Sequence, residues 1–317
     1  MFRIGLLIAL LVTLPASAQD AFPSRPIRIL VGYSAGGGND LIVRLIAPKM
    51  SESLGQAVVV ENKPGAQSII ACELVAKSTP DGYTLLLGPS GPMTMNPATY
   101  ARLPYSPTRD FAPVSMIGSF PLILTVSAAS PLRSVQDLVA YAKANPGKSS
   151  YAASAAPFQI ASELFKQKTG TDFLHVPYKG SGESVQSVVA GQVTMTFADA
   201  APVMGPIRGG TARALAVSSP QRHPTLPDVP TFTEAGLADM DILLWTALFA
   251  PAGTPQPVVA RLQSEVARVV RLPEVREGLA KLGVDPVGGT SDELARTVQR
   301  DIDRWSAVAK AAGIRNN

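Results

Sequence analysis

The chain has 317 residues, 46% of them apolar and 16% charged, and carries a formal charge of +4 with both signs well mixed. This is the composition of an ordinary globular protein, and the lack of any five-to-eight-residue basic run argues against a nucleic-acid-binding face. A single cysteine, Cys72, excludes an intrachain disulfide and reads as a small buried hydrophobe.

In chain order, residues 1–18 read as a secretory leader. Arg3 gives a positive start, Ile4–Leu14 is an apolar stretch too short to span a bilayer, and Ala16-Ser17-Ala18 is a small-x-small cleavage site. Cleavage before Gln19 leaves about 299 residues, room for two domains, with no later run near the roughly 20 apolar residues that a membrane span needs. A β-rich run at Ile27–Val31 then meets Ser34-Ala35-Gly36-Gly37-Gly38, after which Ile42, Leu45, Ile46 and Met50 recur at helical spacing. Strand, glycine turn and helix follow one another, with Asn39 or Gly38 as the expected N-cap. The first turn of such a helix leaves N–H donors unpaired at the positive end of its dipole, which suits a small anion. The alternative is a tight strand-to-helix turn and nothing more. Pro48 predicts a kink or an early helix end.

The alternation continues. A strand is predicted at Ala57–Glu61, a turn at Asn62–Ala66, a helix over Ile69–Lys77 and a strand at Tyr83–Leu87, followed by Gly88-Pro89-Ser90-Gly91. Strand alternating with helix implies a parallel sheet covered by helices, and in such sheets ligands sit at the loops after the strands. Tyr100–Pro113 has no period and reads as a crossing segment. A second alternation begins at Leu122–Val126, with Ser134 and Asp137 as a near capping box for a helix over Val135–Ala144. Loops at Tyr151–Pro157 and Tyr178–Gly182 each precede a predicted helix, over Ile160–Thr169 and Glu183–Ala190. Strands are expected at Val193–Phe197, ending at Asp199, and at Ala212–Val217. Pro220–Pro230 holds four prolines and reads as a second extended crossing. Helices at about Val258–Val270, Pro273–Leu282 and Ser291–Ala311 close the chain, the last with Leu294, Val298, Ile302 and Trp305 on one stripe. The expected architecture is α/β, two lobes of mainly parallel sheet with a cleft between them. The lobes are assigned as 19–120, 121–225 and a return of 226–317 to the first.

Catalytic signatures are missing. The only histidines are His175 and His223, no Gly-x-Ser-x-Gly elbow stands at a strand-to-helix turn, and a zinc site lacks ligands. The glycines match neither a phosphate-binding loop, which needs Gly-Lys-Ser/Thr, nor a dinucleotide fingerprint. No metal or cofactor is therefore expected. Asp40 reads either as a first-turn acid or as the holder of an ordered water, since a carboxylate aimed straight at a bound carboxylate would repel it. Tyr33 and Tyr178, beside glycine turns at strand ends, are candidate cleft walls, and Trp245 is equally at home in core or cleft.

The order of motifs resembles one family. It includes Gly36-Gly37-Gly38-Asn39-Asp40, Val60-Glu61-Asn62-Lys63-Pro64-Gly65-Ala66, Pro80-Asp81-Gly82-Tyr83-Thr84-Leu85, His175-Val176-Pro177-Tyr178-Lys179-Gly180, Leu226-Pro227-Asp228-Val229-Pro230-Thr231 and Ala250-Pro251-Ala252-Gly253-Thr254-Pro255. The chain is similar to the tripartite tricarboxylate transporter substrate-binding proteins, the Bug or TctC-like periplasmic receptors. The resemblance implies a type II periplasmic-binding-protein fold, a small carboxylate ligand, delivery to a membrane permease, and no catalysis. An alternative partner is a membrane histidine kinase served by a ligand-loaded sensor. Carried over position by position, the ligand contacts are Tyr33, Ser34, Ala35, Gly36, Gly37, Asn39, Asp40, Ser90, Gly91, Ala153, Ser154, Ala155, Tyr178, Gly180 and Asp199, with Trp245 as a further wall. The first loop departs from the family's pattern at Gly32 and Ala35, where prolines are usual. The loop Ala152–Phe158 departs further, keeping only Ser154 as a side-chain donor. A citrate-like tricarboxylate fits that loop poorly, and a small mono- or dicarboxylate or an aromatic acid fits it better. A receptor that hinges is expected to be a monomer.

Overall fold

The computed structural model describes residues 22–315; the expected leader and its cleavage site lie outside the described residues. The first stretch runs β1 (Ile27–Val31), α1 (Gly38–Leu54), β2 (Val58–Asn62), α2 (Ile69–Ala76) and β3 (Thr84–Pro89). A π turn at Gly91–Met95 leads into the short α3 (Asn96–Thr99), and β4 (Phe111–Pro121) follows. The second stretch is β5 (Ile123–Ser127), α4 (Val135–Ala144), β6 (Ser150–Ala153), α5 (Ala156–Thr169), β7 (Leu174–Pro177), α6 (Ser181–Val189), β8 (Met195–Ala198), α7 (Ala200–Arg208) and β9 (Ala212–Val217). The chain ends with β10 (Leu243–Pro251), α8 (Gln256–Val269), α9 (Pro273–Lys281), β11 (Asp285–Pro286) and α10 (Ser291–Ala311).

Two sheets result, one per lobe. The first has the order β11-β4-β10-β3-β1-β2 and the second β7-β6-β8-β5-β9. In the first, β1 pairs in parallel with β2 and β3, whereas β10 runs antiparallel to both β3 and β4. In the second, β6 is parallel to β7 and β8, and β5 is antiparallel to β8 and β9. The sheets are therefore mixed rather than wholly parallel. The antiparallel members include the strands that carry the chain between lobes: Leu243, where β10 begins, pairs with Pro121, where β4 ends.

Strand alternation places side chains on both faces of each sheet, and helices bury both. Ile27, Ile29, Val31, Leu85 and Leu87 pack against α1, α8 and α9 through Ile42, Ile46, Met50, Leu262, Val266 and Leu279. Leu30 and Leu86 face the other way, onto Cys72 and Val75 of α2 and Leu294 and Val298 of α10. The second sheet buries Leu124, Tyr151, Met195 and Phe197 against Leu138, Ile160 and Phe165. Fully burying each such side chain contributes about 1.5–3 kcal/mol. The helix α10 belongs to both lobes, because its far half places Trp305, Val308 and Ala309 in the second lobe's core.

Several local expectations differ from the fold. Helix α1 runs through Pro48 to Leu54; Pro48 is exposed, so the carbonyl that loses its donor faces water. Its N-cap is Gly37 rather than Asn39 or Gly38. The stretch 100–110 does not cross between lobes but leads into β4, which contains Pro113. That proline pairs with Phe249 at a register shift, where a missing N–H costs the ladder little. Helix α7, with Pro206 inside it, had no counterpart in the sequence reading.

Candidate functional site

Between the lobes lies a cleft of about 410 Å³. It collects the ends of β1 and β3 on one side and the starts of α5, α6 and α7 on the other. Tyr33, Ser34, Asn39, Ser90 and Gly91 line the first wall, and Ser154, Ala155, Gly180 and Asp199 the second. A Cβ added at Gly91 would lie 3.5 Å from Cγ of Pro157 across the cleft and 3.8 Å from the Tyr33 hydroxyl on its own wall. Phe120, Phe158 and Leu244 supply apolar surface, and Lys179 is the one cationic side chain of the lining.

The first wall is held by a closed polar network. Asp40, 1% exposed, accepts the Gly36 N–H at 2.8 Å, Nε of Arg44 at 2.9 and 3.0 Å, and Nδ2 of Asn62 at 2.8 Å. Asn62 also donates to the Tyr33 carbonyl at 3.0 Å, and its own oxygen accepts from Nη2 of Arg44 at 3.0 Å. Burial by itself would raise the Asp40 pKa, but the bonds from Arg44, Gly36 and Asn62 outweigh it and hold the carboxyl below its ordinary value. Gly36 takes φ +80°, which closes the turn. The Gly37 N–H is also consumed, by the Ser34 carbonyl at 3.2 Å. The donors that stay free among the described residues include the N–H groups of Gly38 and Asn39 at the start of α1, where Gly37 has no side chain to cap them. Burial pushes the Tyr33 phenol well above its ordinary pKa, with Cys72 adding to the effect, so its hydroxyl stays a donor.

The second wall is less tied. Ala155, Gly180 and Asp199 are the N-caps of α5, α6 and α7, and none makes a side-chain cap bond. Ser154 and Ser181 touch through their hydroxyls at 3.5 Å. Oδ1 of Asp199 is buried with no hydrogen-bond partner among the described residues, as is Oδ1 of Asn39 across the cleft. Burial raises the Asp199 pKa above its ordinary value, opposed only by a backbone N–H.

Nine of the expected site residues thus meet in the cleft: Tyr33, Ser34, Asn39, Ser90, Gly91, Ser154, Ala155, Gly180 and Asp199. Ala35, Gly36, Gly37 and Asp40 shape it without lining it. Trp245 is 2% exposed and lies in the core, its indole N–H donating to Oδ2 of Asp301 at 2.9 Å. Ala153 and Tyr178 line an adjoining cavity of about 480 Å³ instead, which shares Gln67, Ser154 and Ala155 with the cleft. Sequence reasoning missed the loop Ala66-Gln67-Ser68, which faces the cleft with three consecutive non-glycine residues at positive φ, 46°, 53° and 70°. Backbone of this kind costs on the order of 1–3 kcal/mol per residue and gathers at ligand sites. Its only signal in the sequence is the Pro64-Gly65 turn before it. Asn96 steadies the loop, donating to the Gln67 carbonyl at 3.1 Å.

Among the described residues no group of three or more His, Cys, Asp and Glu could hold a metal ion, and no helix is long and apolar enough to cross a membrane. The family model described as the tripartite tricarboxylate transporter family receptor matches residues 42–314. A protein of Pseudomonas sp. strain P51, described as a UPF0065 protein in a tcbD-tcbE intergenic region, is 41% identical over 92% of this chain and 88% of its own length. BugT of Bordetella pertussis is 36% identical over 98% of this chain and 96% of its own. Among solved structures, R. palustris Rpa4515 with adipate superposes with a TM-score of 0.83 at 36% identity, covering 92% of this chain and 99% of that one. A two-lobed fold whose open helix starts converge on one cleft agrees with these likenesses over nearly the whole chain: the chain belongs to the tripartite tricarboxylate transporter receptors, periplasmic solute-binding proteins that bind their substrate rather than convert it.

Proposed function

We propose that the protein captures a small carboxylate in this cleft and delivers it to a membrane permease. The observation that carries the reading is the convergence of four helix starts, those of α1, α5, α6 and α7, on one cleft, each without a side-chain cap. Unpaired N–H groups at such ends favour an anion. The anionic end of the ligand is held by the N–H groups of Gly38 and Asn39 and by the hydroxyls of Tyr33, Ser90 and Ser154. Its body lies against Phe120, Phe158 and Leu244. One lysine and no arginine line the cleft, which suits a mono- or dicarboxylate better than a citrate-like trianion. Adipate in the R. palustris relative is of this class. We take the lobes to divide where the paired strands cross, at 121/122 and 242/243, the second point later than residue 226 because Phe232, Met240 and Ile242 pack in the second lobe's core. Closure of the lobes about those strands buries the ligand, and the loaded, closed form is what the permease meets.

A thermal-shift screen tests this. Purified protein, unfolded and refolded to strip carried-over ligand, is heated with mono-, di-, tri- and aromatic carboxylates and with amino acids. An acid at 100 times its dissociation constant stabilises the native state by roughly 2.7 kcal/mol, a shift of degrees. A response to small carboxylates that citrate does not match supports the reading. Silence towards every acid overturns it.

A further inference from the structure

The cavity beside the cleft has chemistry of its own. It shares Gln67 of the first lobe and Ser154 and Ala155 of the second with the cleft, and these line both spaces. Its lining includes Arg315, Tyr178 and His175 and no acidic side chain. Arg315 makes no ion pair or side-chain hydrogen bond among the described residues. Nε2 of His175 is buried without a partner, while its ring is stacked on Tyr151 with centroids 5.0 Å apart. The cleft, by contrast, balances Lys179 against Asp199. A cation with no counter-charge among the described residues, a phenol and an imidazole whose Nε2 lacks a partner stand around one space and form a receptacle for a second anionic group.

Resting on the carboxylate reading above, we propose that this cavity is a second anion subsite, in which Arg315 and Tyr178 hold the far carboxylate of an extended α,ω-dicarboxylate whose near carboxylate sits at the start of α1. The methylene chain passes Gln67 and Ser154. This assigns a ligand role to Tyr178, which the main cleft does not use. It also makes the preferred substrate a linear diacid rather than a monoacid or a benzoate, because only a diacid brings a second carboxylate to Arg315 and Tyr178.

Calorimetric titration with succinate, glutarate, adipate, pimelate and suberate, and with hexanoate and benzoate as single-charge probes, tests the assignment. The expected result is affinity that rises with diacid length to an optimum at least tenfold tighter than hexanoate. In Arg315→Gln that optimum weakens by tenfold or more while hexanoate changes by less than twofold, and Arg315→Lys recovers part of the loss. Arg315 is exposed near the chain end, so neither change threatens the fold. Hexanoate or benzoate binding as tightly as the best diacid, or R315Q weakening both classes alike, overturns the subsite and leaves the carboxylate reading standing. Failure of every acid overturns both.

Discussion

Helix starts at the cleft are uniformly open, whereas those away from it are mixed: α8 and α9, whose N-cap positions are Pro255 and Leu272, have no side-chain cap, but α4 and α10 do. Ser134 caps α4 by accepting the Asp137 N–H at 3.0 Å, and Thr290 and Glu293 close a full capping box on α10. Neither helix start lines the cleft. The starts of α1, α5, α6 and α7 do, and all four are left open. A cap residue is worth about 1 kcal/mol, so the cleft forgoes that stabilisation several times over. The two walls differ in the same sense. Asp40 is fully bonded inside the first wall, whereas Asp199 in the second has an oxygen with no partner. The first wall is prebuilt around Asp40, although Asn39 there also keeps an unpartnered Oδ1, and the second wall is less complete.

The largest effect is expected at the prebuilt wall. Asp40→Ala removes the acceptor for Gly36, Arg44 and Asn62 together, costing about 3 kcal/mol in denaturant unfolding. The pH dependence has a definite sign. Because the folded pKa of Asp40 is lowered, its contribution is present in full above the carboxylate's ordinary value near 4 and fades as pH falls below it. The acid limb of the stability profile should therefore flatten in the variant. Next comes Ala155→Asp, which supplies α5 with the cap and the negative charge that a ligand would otherwise bring. Stability rises by about 1 kcal/mol, while the tightest carboxylate of the thermal screen loses about 100-fold in affinity, or about 2.7 kcal/mol. An unchanged affinity would mean that the open helix starts are not the anion site.

Asp199→Asn probes the incomplete wall. Since its folded pKa is raised, the ionised form is penalised, so the native protein loses stability as pH climbs through the range between the unfolded and folded values. The amide should be more stable by about 1–2 kcal/mol at pH 7 and equal at pH 3, read from paired denaturation curves. The smallest change is the control, Ser134→Ala. It costs about 1 kcal/mol through the lost cap and leaves ligand affinity untouched.

Much of the framework was legible because period carries it. The alternation Ile27–Val31, the helix stripe after Gly38, the Ser134 cap and the long last helix all follow from local pattern. Long-range geometry was not. The antiparallel direction of β10 depends on its return beside β4, which no residue within Leu243–Pro251 encodes. The strand β4 hides behind Pro113, Gly118 and Pro121, each a breaker when read alone. Trp245 is apolar with one donor, and only Asp301, 56 positions away, decides that it faces the core. The left-handed turn at Ala66–Ser68 could not be read at all, because none of its three residues is one that favours positive φ. Its cause is tertiary: Cα of Gly32 leaves room for Ser68, whose Oγ would lie 1.8 Å from a Cβ there.

The last helix bears on how such a receptor moves. Leu294 and Val298 fasten the near half of α10 to the first lobe, and Trp305, Val308 and Ala309 fasten the far half to the second. A rod of 21 residues, about 31 Å long, glued at both ends, resists any opening that pulls the lobes apart along its length. It yields more readily to twist. The α10 helix thus forms a third tie between the lobes beside the two crossing strands, so a relative movement of the lobes has to bend or twist this rod or undock one of its ends.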